Sequence, residues 1–170
     1  ALKKAQEPGF LLTGKPKKTE DGYTFIGLAP KQTFTYRDGV LTTTVEGGET
    51  TTKETELKPI LESILKQHQT PRISGLPPFT GGLIGYFSYD YAKYATTALK
   101  QQVADPMNLD DADLLLVDRV IAYNHRQQKV TISQIIPTDE LAERYDDVMT
   151  DLKRLQQLIL NAQPKPLPRF

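Results

Sequence analysis

The spacing of apolar positions changes twice along this chain, and each change marks a change of element. From Phe10 to Val45 the rhythm is that of strands. Phe10-Leu11-Leu12-Thr13 is a short apolar run closed by Gly14. Tyr23 to Leu28 is aromatic and β-branched and stops short of Pro30, and Gln32 to Arg37 alternates with Phe34 and Tyr36 on one face. Asp38-Gly39 predicts a hairpin turn with Val40 to Val45 as the return strand. Gly47-Gly48 turns the chain again, into a short strand at Thr50, Thr51 and Thr52. From Leu57 the period lengthens. Leu57, Ile60, Leu61, Ile64 and Leu65 predict an amphipathic helix of roughly three turns. Thr55 and Glu56 suit its start, and Pro59 falls early, where a missing N–H costs least.

Three prolines and a glycine between Gln69 and Pro78 predict a loop. Leu83, Ile84, Tyr86, Phe87 and Tyr89 then form a strand with apolar residues on both faces, the pattern of a central position in a sheet. Asp90 is placed to cap a short helix running through Tyr94, and Thr96 to Asp111 reads as loop. Leu114 to Tyr123 and Lys129 to Ile136 predict two strands joined through Asn124-His125-Arg126-Gln127-Gln128. Pro137 ends the second, and Thr138, Asp139 and Glu140 open a long helix, acids being favourable in a first turn. Leu141, Tyr145, Val148, Leu152, Leu155 and Ile159 carry it to about Ala162. The expected fold class is α+β: mainly antiparallel sheets with two substantial helices.

Composition narrows the function classes. With 21 basic and 21 acidic residues in 170, no net field draws the chain to nucleic acid or to an anionic membrane. Lys15, Lys17 and Lys18 form a short basic cluster, followed by Glu20 and Asp21, and read as a solvated loop. No apolar run reaches membrane-span length, and no signal peptide opens the chain. The absence of cysteine removes disulfides, thiol nucleophiles and cysteine metal sites together, and it fits a cytoplasmic setting. The missing initiator Met and the proline-rich stretch from Pro164 to Pro168 suggest an excised piece: a domain over residues 1–163 and the start of a linker over 164–170.

Catalytic constellations do not assemble. His68 falls at the end of the first predicted helix and His125 in a hairpin loop, so both read as surface residues rather than as a metal pair. Asp105, Asp110, Asp111 and Asp113 are the densest acidic group, but they lack the order of a calcium loop and read as structural. No nucleophile elbow, phosphate loop or zinc-protease motif is present, so no catalytic residue and no metal site is assigned within these residues.

The segment Pro77-Pro78-Phe79-Thr80-Gly81-Gly82-Leu83-Ile84-Gly85-Tyr86-Phe87-Ser88-Tyr89-Asp90 stands out. Gly81, Gly82 and Gly85 weaken a strand, a cost accepted where another backbone or a ligand comes close. With its Tyr86 and Asp90, this segment resembles the N-terminal half of the chorismate-utilising enzymes. Three further stretches match in order: Phe10-Leu11-Leu12 with Tyr23 to Gly27, Asp113 to His125, and the helix from Thr138. The resemblance covers roughly residues 8 to 163 and is nearer to the large subunit of anthranilate synthase than to that of aminodeoxychorismate synthase.

The resemblance implies a non-catalytic, regulatory N-terminal domain of anthranilate synthase component I. It implies that the catalytic acids and Mg2+ belong to the protein's own C-terminal chorismate-binding domain, and that a glutamine amidotransferase subunit, component II, supplies ammonia. The intact enzyme, a lyase, would make anthranilate and pyruvate for tryptophan biosynthesis, and these residues alone would be inactive. The family's Leu-Leu-Glu-Ser motif, which helps bind the inhibitor tryptophan, matches Leu11, Leu12, Thr13 and Gly14, with Tyr23 from the following strand. Thr13 and Gly14 replace the acid and the serine, and Gly22 replaces a basic residue, so weakened or altered tryptophan inhibition is expected. The alternatives are aminodeoxychorismate synthase component I, a stand-alone aromatic amino-acid-binding module, and a scaffold that only covers a catalytic half.

Overall fold

A computed structural model describes residues 9–14, 21–45, 47–48, 50–94 and 108–163. The basic cluster at Lys15 to Lys18, Asp105, most of the loop before Asp111 and the stretch 164–170 lie outside the described residues. The elements run β1 (Gly9–Thr13), β2 (Tyr23–Leu28), β3 (Gln32–Arg37), β4 (Val40–Val45), β5 (Thr50–Glu54) and α1 (Leu57–Gln67). They continue with β6 (Gly82–Phe87), a 3-10 helix (Tyr89–Tyr94), β7 (Ala112–Val117), β8 (Arg119–Asn124), β9 (Lys129–Gln134) and α2 (Leu141–Leu160). The fold is α+β, as expected. Every described strand pairing is antiparallel, in two sheets ordered β1-β2-β8-β9 and β5-β4-β3-β7-β6.

Strand alternation sets up four layers. On one face of the second sheet Phe34, Tyr36, Leu41, Ala112, Leu114 and Leu116 are buried against Leu57 and Ile64 of α1. Residues of the opposite parity, Leu115 and Val117, meet Phe25, Val120 and Ala122 of the first sheet, with Phe79 and Phe10 filling in. The far face of the first sheet places Leu28 and Ile121 on Leu155 and Ile159 of α2. Each fully buried aliphatic side chain contributes about 1.5–3 kcal/mol relative to exposure. The order is therefore helix, sheet, sheet, helix.

The chain crosses between sheets at two adjacent places. Between β2 and β3 it passes through Ala29, whose φ is +46°, and between β7 and β8 through Asp118. Lys31 and Asp118, one from each crossing, pair at 3.1 Å, and the Ile135 N–H donates to the Asp118 carbonyl at 2.8 Å.

Three sequence expectations are corrected here. The single strand expected over Leu114 to Tyr123 is two strands in different sheets, broken at Asp118. Leu114 and Leu116 face α1, whereas Val120 and Ala122 face the layer between the sheets; the bend switches the face that even positions present. The strand expected to be central, β6, lies at a sheet edge with β7 as its neighbour, and Tyr89 leaves it for the 3-10 helix. Asp90 sits inside the first turn of that helix and does not cap it; the Tyr91 N–H donates to the Ser88 carbonyl at the entry.

Candidate functional site

The Leu11–Gly14 segment forms the edge of the first sheet. Register pairs Leu12 with Phe25 and Thr13 with Thr24, and the Gly14 N–H donates to the Tyr23 carbonyl at 2.8 Å. Leu11 and Leu12 are 69% and 52% exposed, so neither is a core residue despite the apolar run that contains it. Tyr23 stacks on Phe25 with ring centroids 5.5 Å apart, and Phe79 meets Phe25 edge-on at 5.8 Å. The result is an aromatic and aliphatic shelf at one end of the layer between the sheets.

A polar rim borders this shelf, and the β8–β9 turn supplies most of it. Asn124 is buried, and all four hydrogen-bonding positions of its amide are used. Its Nδ2 donates to Asp21 Oδ2 at 2.8 Å and to Tyr23 Oη at 2.9 Å. Its Oδ1 accepts from the N–H groups of Arg126 and Gln127, both at 2.9 Å, which holds the turn. Arg126 in turn lies 3.6 Å from Asp21. On the other side of β2 the Thr24 hydroxyl lies 3.4 Å from Thr13 Oγ1 and is hydrogen-bonded to His125 Nε2 at 2.8 Å. His125 is thus tied into the sheet and is no bland turn residue; its ring also meets Tyr123 edge-on.

Of the five expected effector residues, Leu12 and Tyr23 share the inner face of the first sheet, where Asn124, Asp21 and Arg126 join Tyr23, and Gly14 bonds to the Tyr23 backbone at the strand end. Thr13 and Leu11 lie on the opposite face, Thr13 beside Thr24, which bonds His125, and Leu11 opposite Ile26 in the layer over α2. Sequence reasoning missed the added residues because Tyr23 meets Asn124 across 101 positions of chain. The asparagine opening a hairpin loop was the one local signal.

The glycine motif has a packing explanation. Gly85 runs so close to β7 that a Cβ there would fall 2.8 Å from Leu114 Cα and nearer still to the Asp113 carbonyl, at φ +157°. At Gly81 a Cβ would run into Ile135 and lie 3.0 Å from the Val117 carbonyl, whereas at Gly82 the space is open apart from the Phe79 ring at 3.8 Å. Tyr86 pairs with Asp113 and is exposed.

Behind β6, the 3-10 helix is pinned by a buried carboxylate. Asp111 accepts from Tyr94 Oη at 2.7 Å, from the Asp38 N–H at 3.0 Å and from Lys93 Nζ at 3.0 Å. Burial pushes the Asp111 carboxyl up, but these three contacts outweigh it and hold it below the usual range. Burial and the bond to Asp111 push the Tyr94 hydroxyl up to about 12. Burial alone would lower Lys93; its contacts with Asp111 and Asp38 outweigh that and keep its ammonium above the usual range. This network serves as a structural clamp, the role expected for the acidic group.

A cavity of about 460 Å³ opens between the end of α1 and the start of α2, lined among others by Lys31, His68, Leu116, Asp118, Thr138 and Asp139. Its lysine is spent on Asp118, and the His68 ring bonds through Nδ1 to the Ile64 carbonyl at 2.9 Å, closing the last turn of α1. Among the described residues no group of three His, Cys, Asp or Glu side chains is arranged to hold a metal ion, and no helix is long and apolar enough to cross a membrane.

Comparison with known proteins gives this geometry a family. The chain is similar to anthranilate synthase component 1 of Saccharomyces cerevisiae, with 31% identity over 170 residues, covering 96% of this chain and 31% of the yeast protein. It is also similar to aminodeoxychorismate synthase component 1 of Bacillus subtilis, with 30% identity over 134 residues, 78% of this chain and 28% of that protein. Among solved structures, the crystal structure of anthranilate synthase component I from Streptococcus pneumoniae TIGR4 shares the fold. Its TM-score is 0.53 at 17% identity, over 91% of this chain and 32% of that one. The chain thus spans less than a third of the length of each of these relatives. The profile of the chorismate binding enzymes runs through residues 8–169, nearly end to end, and the chain belongs to that family.

Proposed function

We propose that this chain is the N-terminal, non-catalytic and regulatory part of an anthranilate synthase component I. The observation that carries the reading is a family match over residues 8–169 in a chain that spans less than a third of its relatives. In the intact enzyme chorismate and ammonia from glutamine would become anthranilate and pyruvate, a lyase reaction that feeds tryptophan synthesis. A larger chorismate-binding part would supply the reacting acids and the Mg2+ site. The described residues offer no donor set that fits Mg2+, so no step is assigned to a metal here. A glutamine amidotransferase, component II, is the proposed partner, residues 164–170 the start of the linker, and the cytoplasm the proposed setting.

The effector seat is proposed at Leu11, Leu12, Thr13, Gly14 and Tyr23. Thr13 and Gly14 lack the carboxylate and hydroxyl of the family motif. Asp21 and Arg126, 3.6 Å apart, offer the opposite charges that an amino acid's ammonium and carboxylate require, beside the Tyr23–Phe25 stack. Because that ion pair must open to admit a ligand, tryptophan should bind weakly. Calorimetry of the chain with tryptophan tests this: millimolar-range affinity lost in Arg126→Ala is expected, and micromolar affinity unaffected by that change refutes it.

The functional reading is tested by incubating the 170-residue chain, and separately the longer polypeptide that carries it, with chorismate, ammonium and Mg2+. Anthranilate fluorescence from the longer form only is expected. Turnover by the short chain would refute the division of labour. Aminodeoxychorismate as product would favour the alternative, which the Bacillus subtilis relative keeps in view.

A further inference from the structure

Two Asp-Gly steps occur in this sequence, Asp21-Gly22 and Asp38-Gly39. Such a step carries its own reaction, because the glycine nitrogen has no Cβ beside it to hinder approach. That nitrogen attacks the aspartic acid Cγ. A nitrogen–carbon bond forms, the carboxyl hydroxyl leaves with the amide proton as water, and a five-membered imide results. Water then opens the imide at one of its two carbonyls. One opening restores aspartate; the other gives isoaspartate, whose main chain runs through the old side-chain methylene.

At Asp38-Gly39 the reaction has room. The two residues form the β3–β4 turn with φ of +47° and +84°, the paired positive values of a two-residue hairpin loop. The Asp38 side chain is 70% exposed, and nothing lies within 4 Å of where a Gly39 Cβ would stand. Yet the reacting groups are held. The Gly39 N–H donates to Tyr94 Oη at 3.0 Å, and the Gly39 carbonyl accepts from the Thr55 N–H at 3.0 Å. Lys93 Nζ meets Asp38 Oδ1 at 3.1 Å, and Arg37 Nε lies 3.8 Å from Oδ2. The Tyr94 hydroxyl spends its own proton on Asp111 and offers Gly39 only a lone pair.

We propose that Asp38-Gly39 is a self-modification site, reacting through the imide to isoaspartate, and that the Asp111–Tyr94–Lys93 corner restrains it. Ring closure brings Cγ onto the Gly39 nitrogen and frees the amide proton. The corner holds both halves of that new bond, the nitrogen through Tyr94 and the carboxylate through Lys93. The product undoes its own guard. An extra methylene in the turn displaces the Arg37–Val40 pair, and the free carboxylate now springs from the old main chain, out of place for Lys93. Asp21-Gly22 is braced by a different set, Asn124 at 2.8 Å and Arg126 at 3.6 Å, and serves as a control within the same molecule.

The test ages the purified chain at neutral pH in heavy-oxygen water, folded and in urea, and maps its peptides by mass spectrometry. Each imide opening leaves one solvent oxygen behind, and electron-transfer fragmentation separates isoaspartate from aspartate. Label at Asp38 should build up faster in urea than in the folded chain. Tyr94→Phe should raise the folded rate at Asp38 by about threefold to tenfold, the weight of an ordinary hydrogen bond read as a population. Lys93→Gln should act in the same direction, and both should leave Asp21 unchanged. A folded rate equal to that in urea, or no label at Asp38 in either state, would overturn the proposal. So would a rise at Asp21 and Asp38 together, which reports general unfolding. A rate in either variant at or below that of the wild type would overturn it too; a slower Tyr94→Phe would mean that the hydroxyl passes the amide proton on to Asp111 and promotes the attack.

Discussion

Removing the Asp111 carboxylate should loosen the whole corner that holds the 3-10 helix. Three donors converge on it, from Tyr94, Lys93 and the backbone of Asp38, and Tyr94 Oη also accepts from the Gly39 N–H at 3.0 Å. Hydrogen bonds to a charged group contribute roughly 1.5–3 kcal/mol each, and breaking a buried pair costs about 3–5. Here the loss is partly offset. Lys93 keeps Asp38 at 3.1 Å, and Tyr94 has enough exposure to find water. Asp111→Ala is therefore expected to destabilise by about 2–3 kcal/mol, and Asp111→Asn, which keeps an oxygen acceptor, by roughly half that. Urea unfolding gives the totals, and faster amide exchange at Asp38 and Gly39 shows that the loss is local. The pH dependence follows from proton counting. The folded carboxyl is held below its ordinary value, so the unfolded chain binds the extra proton. The stabilisation is complete above the unfolded value, roughly 3.9, and drains away as pH falls through the lower folded one. The gap between wild type and Asp111→Asn should thus close in acid. An Asp111→Ala protein within about 0.5 kcal/mol of wild type, or a gap that stays constant into strong acid, would refute the clamp.

Other substitutions probe other joints. Gly85→Ala should cost about 3 kcal/mol or more, because its Cβ meets the β7 backbone and β6 must separate; an unchanged unfolding midpoint would contradict this. Asp113→Asn should stabilise at neutral pH. The folded carboxyl is raised, so stability is lost as pH climbs from the unfolded to the folded value, and the advantage should vanish in acid, as thermal unfolding across pH would show. Asn124→Ala strands the Arg126 and Gln127 amides and the Asp21 and Tyr23 side chains, for about 2–3 kcal/mol, with exchange rising first in the β8–β9 turn.

Local chemistry wrote much of this protein plainly. The Asp38-Gly39 turn, the helical spacing from Leu57 and the long amphipathic run from Leu141 each specify an element through contacts only a few residues apart, and all three stand as expected. Nearest-neighbour sterics and periodicity suffice for such features. So does the class: two helices among antiparallel strands follow from where the period changes.

Which strand neighbours which is another kind of question. The run Leu114 to Tyr123 is apolar except for Asp118-Arg119, and that charged pair falls at the break; it marks an interruption but not a change of sheet, which the stacking of two sheets, each needing its own inner face, imposes. Strand β6 reads as central because its residues are suited to burial on both sides, yet position in a sheet depends on what lies alongside, and among the described residues only β7 does. The polar rim of the candidate site depends in the same way on partners more than 100 positions apart, Tyr23 with Asn124 and Thr24 with His125. A periodicity records the side of an element that avoids water and carries no information about which distant segment will cover it; that choice is made by the packing of the layers, and it alone brings those side chains together.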